Sequence, residues 1–275
     1  MSNNTMPLHK AAWIKELAIK IFNEIEALTK DKVGVSRESY GKGETLGINY
    51  LIDLAKKFGL YIEKDDAANV YLSLEKYPKS NHILIGSHMD SVPQGGNFDG
   101  LAGVVAGFLV LVNLKEKKIK TSLPVKLLVL RGEESAWYGK NCIGSKALFG
   151  LISSEDLNST HRSNGKKLSK AMAELGVRLD LIRKCESLIN KNEVEAFIEI
   201  HIEQGPILVD KNWPIAVVTG IRGNYRHHKI RCKGVAGHSG TIPRYLRKDA
   251  VFAGADLITR MDDHWNTIEQ HGGDL

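Results

Sequence analysis

The run His82-Ile83-Leu84-Ile85 empties into Gly86-Ser87-His88-Met89-Asp90-Ser91-Val92-Pro93-Gln94-Gly95-Gly96-Asn97-Phe98-Asp99-Gly100, and the reading of this stretch decides the fold. The apolar run has the length and composition of a buried strand. From Leu101 to Leu114 the chain is rich in Leu, Val and Ala and reads as a helix. A strand that feeds a helix through a glycine-rich loop belongs to an α/β sheet. Sites in such sheets form at the carboxyl edge, where this loop places a His and two Asp residues.

Working outward, Trp13, Ile14, Leu17, Ile21, Ile25 and Leu28 recur at helical spacing, so residues 8–29 read as an amphipathic helix. A second helix is expected over 44–58, closed by Gly59. Residues 61–63 and 69–74 read as strands, as does Val125-Lys126-Leu127-Leu128-Val129-Leu130, which runs into Arg131-Gly132-Glu133-Glu134. Residues 151–193 are more polar, with helical pieces at 168–175 and 179–189. Val194 to Ile200 reads as a further strand and ends in His201-Ile202-Glu203-Gln204-Gly205-Pro206. Past Trp213-Pro214, Ile215 to Thr219 and Arg226 to Cys232 read as strands, followed by a helix from about Arg247. Alternating strands and helices imply a sheet with helices on both faces.

A hydrophobic share of 43% and a charged share of 25% are those of an ordinary globular protein. The net charge of +6 is modest, and basic runs such as Lys115-Glu116-Lys117-Lys118 lack interleaved aromatics, so no nucleic-acid partner is expected. Cys142, Cys185 and Cys232 lie far apart without a CxxC spacing, which fits a reducing compartment. The polar start, Met1 to Pro7, has no signal-peptide core, and no run approaches the roughly 20 apolar residues of a membrane span. A cytoplasmic protein without a membrane partner is expected.

Each chemical fragment has a plain alternative. His-x-Asp is ordinarily a turn or surface pair, Glu-Glu a solvated pair, and a single His a satisfied core residue. Together they differ, because three apolar strands each end in metal-competent side chains. His88 can ligate while Asp90 holds its other ring nitrogen. Asp99 is a further carboxylate, which Gly95, Gly96 and Gly100 let the backbone return toward His88. Adjacent residues point opposite ways on an extended chain, so Glu133 and Glu134 should take different roles, one ligand and one base. His201 is a natural further ligand.

The segments GSHMDSVPQGGNFDG (Gly86–Gly100), RGEES (Arg131–Ser135), HIEQGP (His201–Pro206) and GHSGTIP (Gly237–Pro243) resemble the hydantoinase/carbamoylase family of dinuclear metallohydrolases. That family includes N-carbamoyl-L-amino-acid hydrolases, β-ureidopropionases and allantoate amidohydrolases. The resemblance implies metal ligands His88, Asp99, Glu134 and His201, with Asp99 bridging. It implies Glu133 as general base and then acid, Asp90 as partner of His88, and His238 as an oxyanion-stabilising residue supplied across a dimer interface. Arg226 and Gln204 would contact substrate. Where family members usually carry Met after the lid-loop proline, this chain has Arg244-Tyr245.

The resulting expectation is a zinc-exopeptidase-like α/β catalytic domain over 1–213 and the start of a ferredoxin-like α+β lid and dimerisation domain over 214–275, both incomplete. Its activity would be hydrolysis of a linear amide or ureido C–N bond by a metal-activated water. The substrate would be of the N-carbamoyl amino acid, ureido acid or allantoate kind. Two divalent ions would be bound, Zn²⁺ or Mn²⁺, with Co²⁺ or Ni²⁺ also accepted by such ligands. A homodimer through the lid is the expected assembly. The alternatives are an aminoacylase or dipeptidase of the same superfamily, or an inactive chain serving as a binding or dimerisation module. The chain is expected to be an N-terminal portion that lacks a last metal-binding His.

Overall fold

The computed structural model describes residues 12–76, 81–220 and 229–272. The chain groups into two units, Met1–Gln204 and Gly205–Leu275.

The first unit is built on a five-stranded sheet of order β1-β2-β4-β3-β5, with β1 Tyr61–Lys64, β2 Val70–Ser73, β3 His82–His88, β4 Val125–Leu130 and β5 Val194–Ile198. The strands β3, β4 and β5 are mutually parallel, whereas β1 and β2 join antiparallel. Parallel register pairs His88 with Leu130, so the ends of β3 and β4 lie level. All three parallel strands therefore deliver their following residues to one edge.

Alternation along β4 sends Leu127 and Val129 to one face and Leu128 to the other. The first face is covered by α1 (Ala12–Thr29), α2 (Lys42–Lys57) and α3 (Leu101–Glu116), through residues such as Ile25, Leu51, Val104 and Phe108. Gly59, at φ +61°, closes α2 in the left-handed conformation that glycine adopts without strain. The opposite face receives Leu148 of α4 (Ile143–Leu148), with Leu188 and Val194 beside it. A separate cluster joins α4 to α5 (Ser154–Asn158), α6 (Leu168–Glu174) and α7 (Leu179–Ile182) around Trp137, Leu157 and Met172. The α/β sheet flanked by helices on both faces is borne out. Among the described residues no helix is long and apolar enough to cross a membrane.

In the second unit, α8 (Ile207–Asp210) is followed by α9 (Ala250–Gln270), whose N-cap Asp249 accepts from the Val251 and Phe252 N–H groups. The strand expected over Ile215–Thr219 is not formed, and Ile215, Val217 and Val218 are exposed. A strand exists by pairing, and no strand lies in this unit among the described residues to receive it. The other expected strand, from Arg226, falls partly outside the described residues, and its described part is irregular.

Candidate metal centre

β3 ends in His88, whose ring is buried. Its Nδ1 faces the Asp90 carbonyl at 3.0 Å and Asp90 Oδ1 at 3.4 Å. A carbonyl only accepts, so Nδ1 carries a proton, and Nε2 is the nitrogen that can ligate once a cation displaces its own proton. That Nε2 lies 3.8 Å from Asp99 Oδ1. His201, just past β5, repeats the arrangement. Its Nδ1 donates to the Ile202 carbonyl (2.8 Å), and its Nε2 lies 3.2 Å from the same Asp99 oxygen. His88, Asp99 and His201 thus form a group whose donor atoms all lie within 4.8 Å of one another.

Glu134 lies outside that three-residue group. Its carboxyl is pushed up to about 7, first by burial and then by the charges of Asp99, Asp90 and Glu133. Glu133 accepts from the Cys142 thiol at 3.5 Å. Burial and this carboxylate push Cys142 up to about 11, so it remains a thiol. Burial pulls His88 down, but Asp90, Glu133 and Asp99 outweigh it and raise the imidazole to about 9. Carboxylates from four residues, Asp90, Asp99, Glu133 and Glu134, thus bear on the His88 ring and on one another. Two Nε2 atoms converging on a carboxylate, in a setting that favours cations, suit a divalent ion.

Asp90 ties these parts together. Its carboxylate accepts from Ser39 Oγ (2.6 Å) and from the backbone N–H groups of Glu133 and Glu134 (3.0 Å each), besides facing His88. Burial opposes its ionisation, but these donors hold the carboxyl below its usual range. Gln204 Nε2 donates to Asp99 Oδ2 at 2.7 Å, so this residue meets the Asp99 carboxylate directly. His238 belongs to the second unit, where its Nδ1 accepts from the Gly240 N–H (3.1 Å). Arg226 lies outside the described residues.

Gly100 enables the close return of the loop. Its φ of +64° suits glycine, and a Cβ there would sit 2.4 Å from His88 Cε1. The participants that sequence reasoning misses come from far upstream. Arg37, fully buried, donates from Nε to the Met89 carbonyl (2.7 Å), from Nη1 to Asn97 Oδ1 (3.1 Å), and from Nη2 to the Asn97 and Asp99 carbonyls (3.2 Å each). Burial pulls its guanidinium down to about 10, which leaves it cationic at neutral pH. No periodicity marks such a residue, since only tertiary structure brings it to the loop.

The model of the peptidase family M20/M25/M40 matches residues 84–269. The chain belongs to that family. It is 32% identical over 235 residues to N-carbamoyl-L-amino-acid amidohydrolase of a Pseudomonas species, covering 85% of this chain and 56% of that protein. It is also 32% identical over 197 residues to allantoate amidohydrolase of Escherichia coli, covering 71% and 46%. Among solved structures, a hydantoinase/carbamoylase family amidase from Burkholderia ambifaria matches with a TM-score of 0.74 at 26% identity, over 92% of this chain and 60% of that one. The resemblance carried by the four sequence segments is thereby borne out. The chain spans about half the length of the curated relatives it matches.

Proposed function

We propose that the whole protein hydrolyses a linear amide or ureido C–N bond of the N-carbamoyl amino acid, ureido acid or allantoate type, using two divalent ions, Zn²⁺ or Mn²⁺. The observation that carries this reading is the convergence of His88, Asp99 and His201 at one sheet edge, in a chain related to carbamoyl and allantoate amidohydrolases. These three side chains, with Glu134, would hold the ions. When bound, the ions supply Lewis-acid chemistry, polarising the scissile carbonyl and acidifying water.

The chain's own residues would do the rest. Glu133 takes the proton of the attacking water and returns it to the leaving nitrogen. Asp90 fixes His88 through Nδ1, and with it the direction of Nε2. Gln204 would orient the substrate amide, Arg226 would grip a substrate carboxylate with its planar fork, and His238, supplied by a second copy across the dimer interface, would donate to the developing oxyanion. A carbamoyl substrate plus water would give an amine, carbon dioxide and ammonia. The catalytic part is assigned to residues 1–213 and a lid to 214–275, through which two copies would pair.

The family is named for peptidases, which makes a dipeptidase or aminoacylase the second reading. Protein loaded with Zn²⁺ or Mn²⁺ should release ammonia from N-carbamoyl-L-amino acids or allantoate in preference to cleaving N-acyl amino acids and dipeptides. Turnover confined to the latter pair would overturn the proposal. Glu133→Gln should lower turnover by about 10²- to 10⁴-fold.

A further inference from the structure

The segment Val35–Ser39 runs beside the metal loop as a brace. Val35 and Gly95 exchange both backbone hydrogen bonds (3.0 and 2.8 Å). Arg37 N–H donates to Ser91 Oγ (3.0 Å), and the Ser91 N–H donates to the Arg37 carbonyl (3.0 Å). The Gln94 N–H donates to Ser36 Oγ at 3.0 Å, and Ser39 Oγ reaches Asp90. From this brace the Arg37 side chain crosses the loop and binds carbonyls at both of its ends, Met89 and Asp99. Met89 follows ligand His88, and Asp99 is itself a ligand of the proposed site. A buried cation that gives its donors to neutral carbonyls is a costly way to stabilise a fold, since among the described residues it forms no ion pair, and the charges of Asp90, Asp99 and Glu134 do not outweigh its desolvation. Its planar fork, however, fixes the separation of several acceptors at once, which one ammonium cannot do.

We infer that Arg37 is a positioning residue for the metal centre, setting the chord between Met89 and Asp99 so that His88 and Asp99 meet one ion. The inference rests on the reading of His88, Asp99 and His201 as metal ligands. It assigns a role in metal affinity to a residue that touches neither ion nor substrate.

The test is titration of the metal-free chain with Co²⁺, following the visible absorption of the bound ion and its affinity, alongside circular dichroism of the metal-free protein. Arg37→Lys should keep the fold, bind Co²⁺ about 10- to 100-fold more weakly, and give an altered absorption spectrum. In Arg37→Ala, millimolar guanidinium should restore part of the affinity. Asn97→Ala, which leaves Arg37 in place but removes its Oδ1 acceptor together with the Asn97 Nδ2 donation to the Phe22 carbonyl, should cost about five-fold, on the order of one hydrogen bond. A folded Arg37→Lys with the affinity and spectrum of the parent chain would overturn the inference. If neither Arg37 variant folds, Asn97→Ala decides, and unchanged affinity there overturns it equally. Failure of the unaltered chain to bind Co²⁺ would instead remove the metal-site reading, and this inference with it.

Discussion

Asp90 offers two carboxylate oxygens to four donors drawn from three parts of the chain: the Ser39 hydroxyl, the His88 ring and the backbone of Glu133 and Glu134. An asparagine there would turn an NH₂ group toward at least one of these donors. Asp90→Asn should therefore weaken metal binding by about 10- to 100-fold, as read by competition with a chromophoric chelator. Gly100→Ala should act on His88 by a different route. Its methyl would meet the His88 ring at 2.4 Å while forcing an unfavourable φ, so both metal affinity and thermal stability should fall, the latter by about 1–3 kcal/mol. An alanine variant with unchanged affinity would show that the ring is free to move. At this scale the sequence was informative where a residue type coincides with the end of a strand or the loop that follows it, as for His88, His201 and Asp99. It was silent on Arg37 and Ser39, which carry no pattern and reach the loop from about fifty residues upstream.

The elements are held in place by a buried ion pair as well as by apolar packing. Glu44, in the first turn of α2, is fully buried and accepts from the Arg131 guanidinium, the Tyr40 N–H (2.9 Å) and the Gly132 N–H (2.8 Å). Arg131 in turn donates to the Ala68 carbonyl at 2.9 Å, so one pair links α2, the end of β4 and the turn before β2. Glu44→Ala would leave a buried guanidinium unpaired and should cost about 3–5 kcal/mol in urea unfolding. A loss below about 1 kcal/mol would mean that water replaces the carboxylate. The apolar runs that became β3, β4 and β5 were legible because each is bounded and feeds a polar turn. Residues 215–219 have similar composition, yet strand formation needs a partner that composition does not reveal. Conversely, α4 was hidden because Gly144 and Gly150 give Ile143–Leu148 the look of a loop.

For the whole molecule, the sheet edge is assembled by topology: three parallel strands, adjacent in the order β4-β3-β5, bring residues 88, 133–134 and 201 to one side. Were residues from such distant segments to hold the ions, metal binding would be coupled to folding. Zn²⁺ or Mn²⁺ at about 100 times its dissociation constant should stabilise the protein by about 2.7 kcal/mol, and a chelator should reverse the rise in melting temperature. The most direct test of the central claim is the metal content of the purified chain after equilibrium dialysis against a divalent ion, compared with His88→Ala and Asp99→Asn. The account predicts stoichiometric retention by the parent chain and its loss in both variants while they remain folded. A parent chain that retains no ion, or variants that retain as much as the parent, would contradict it.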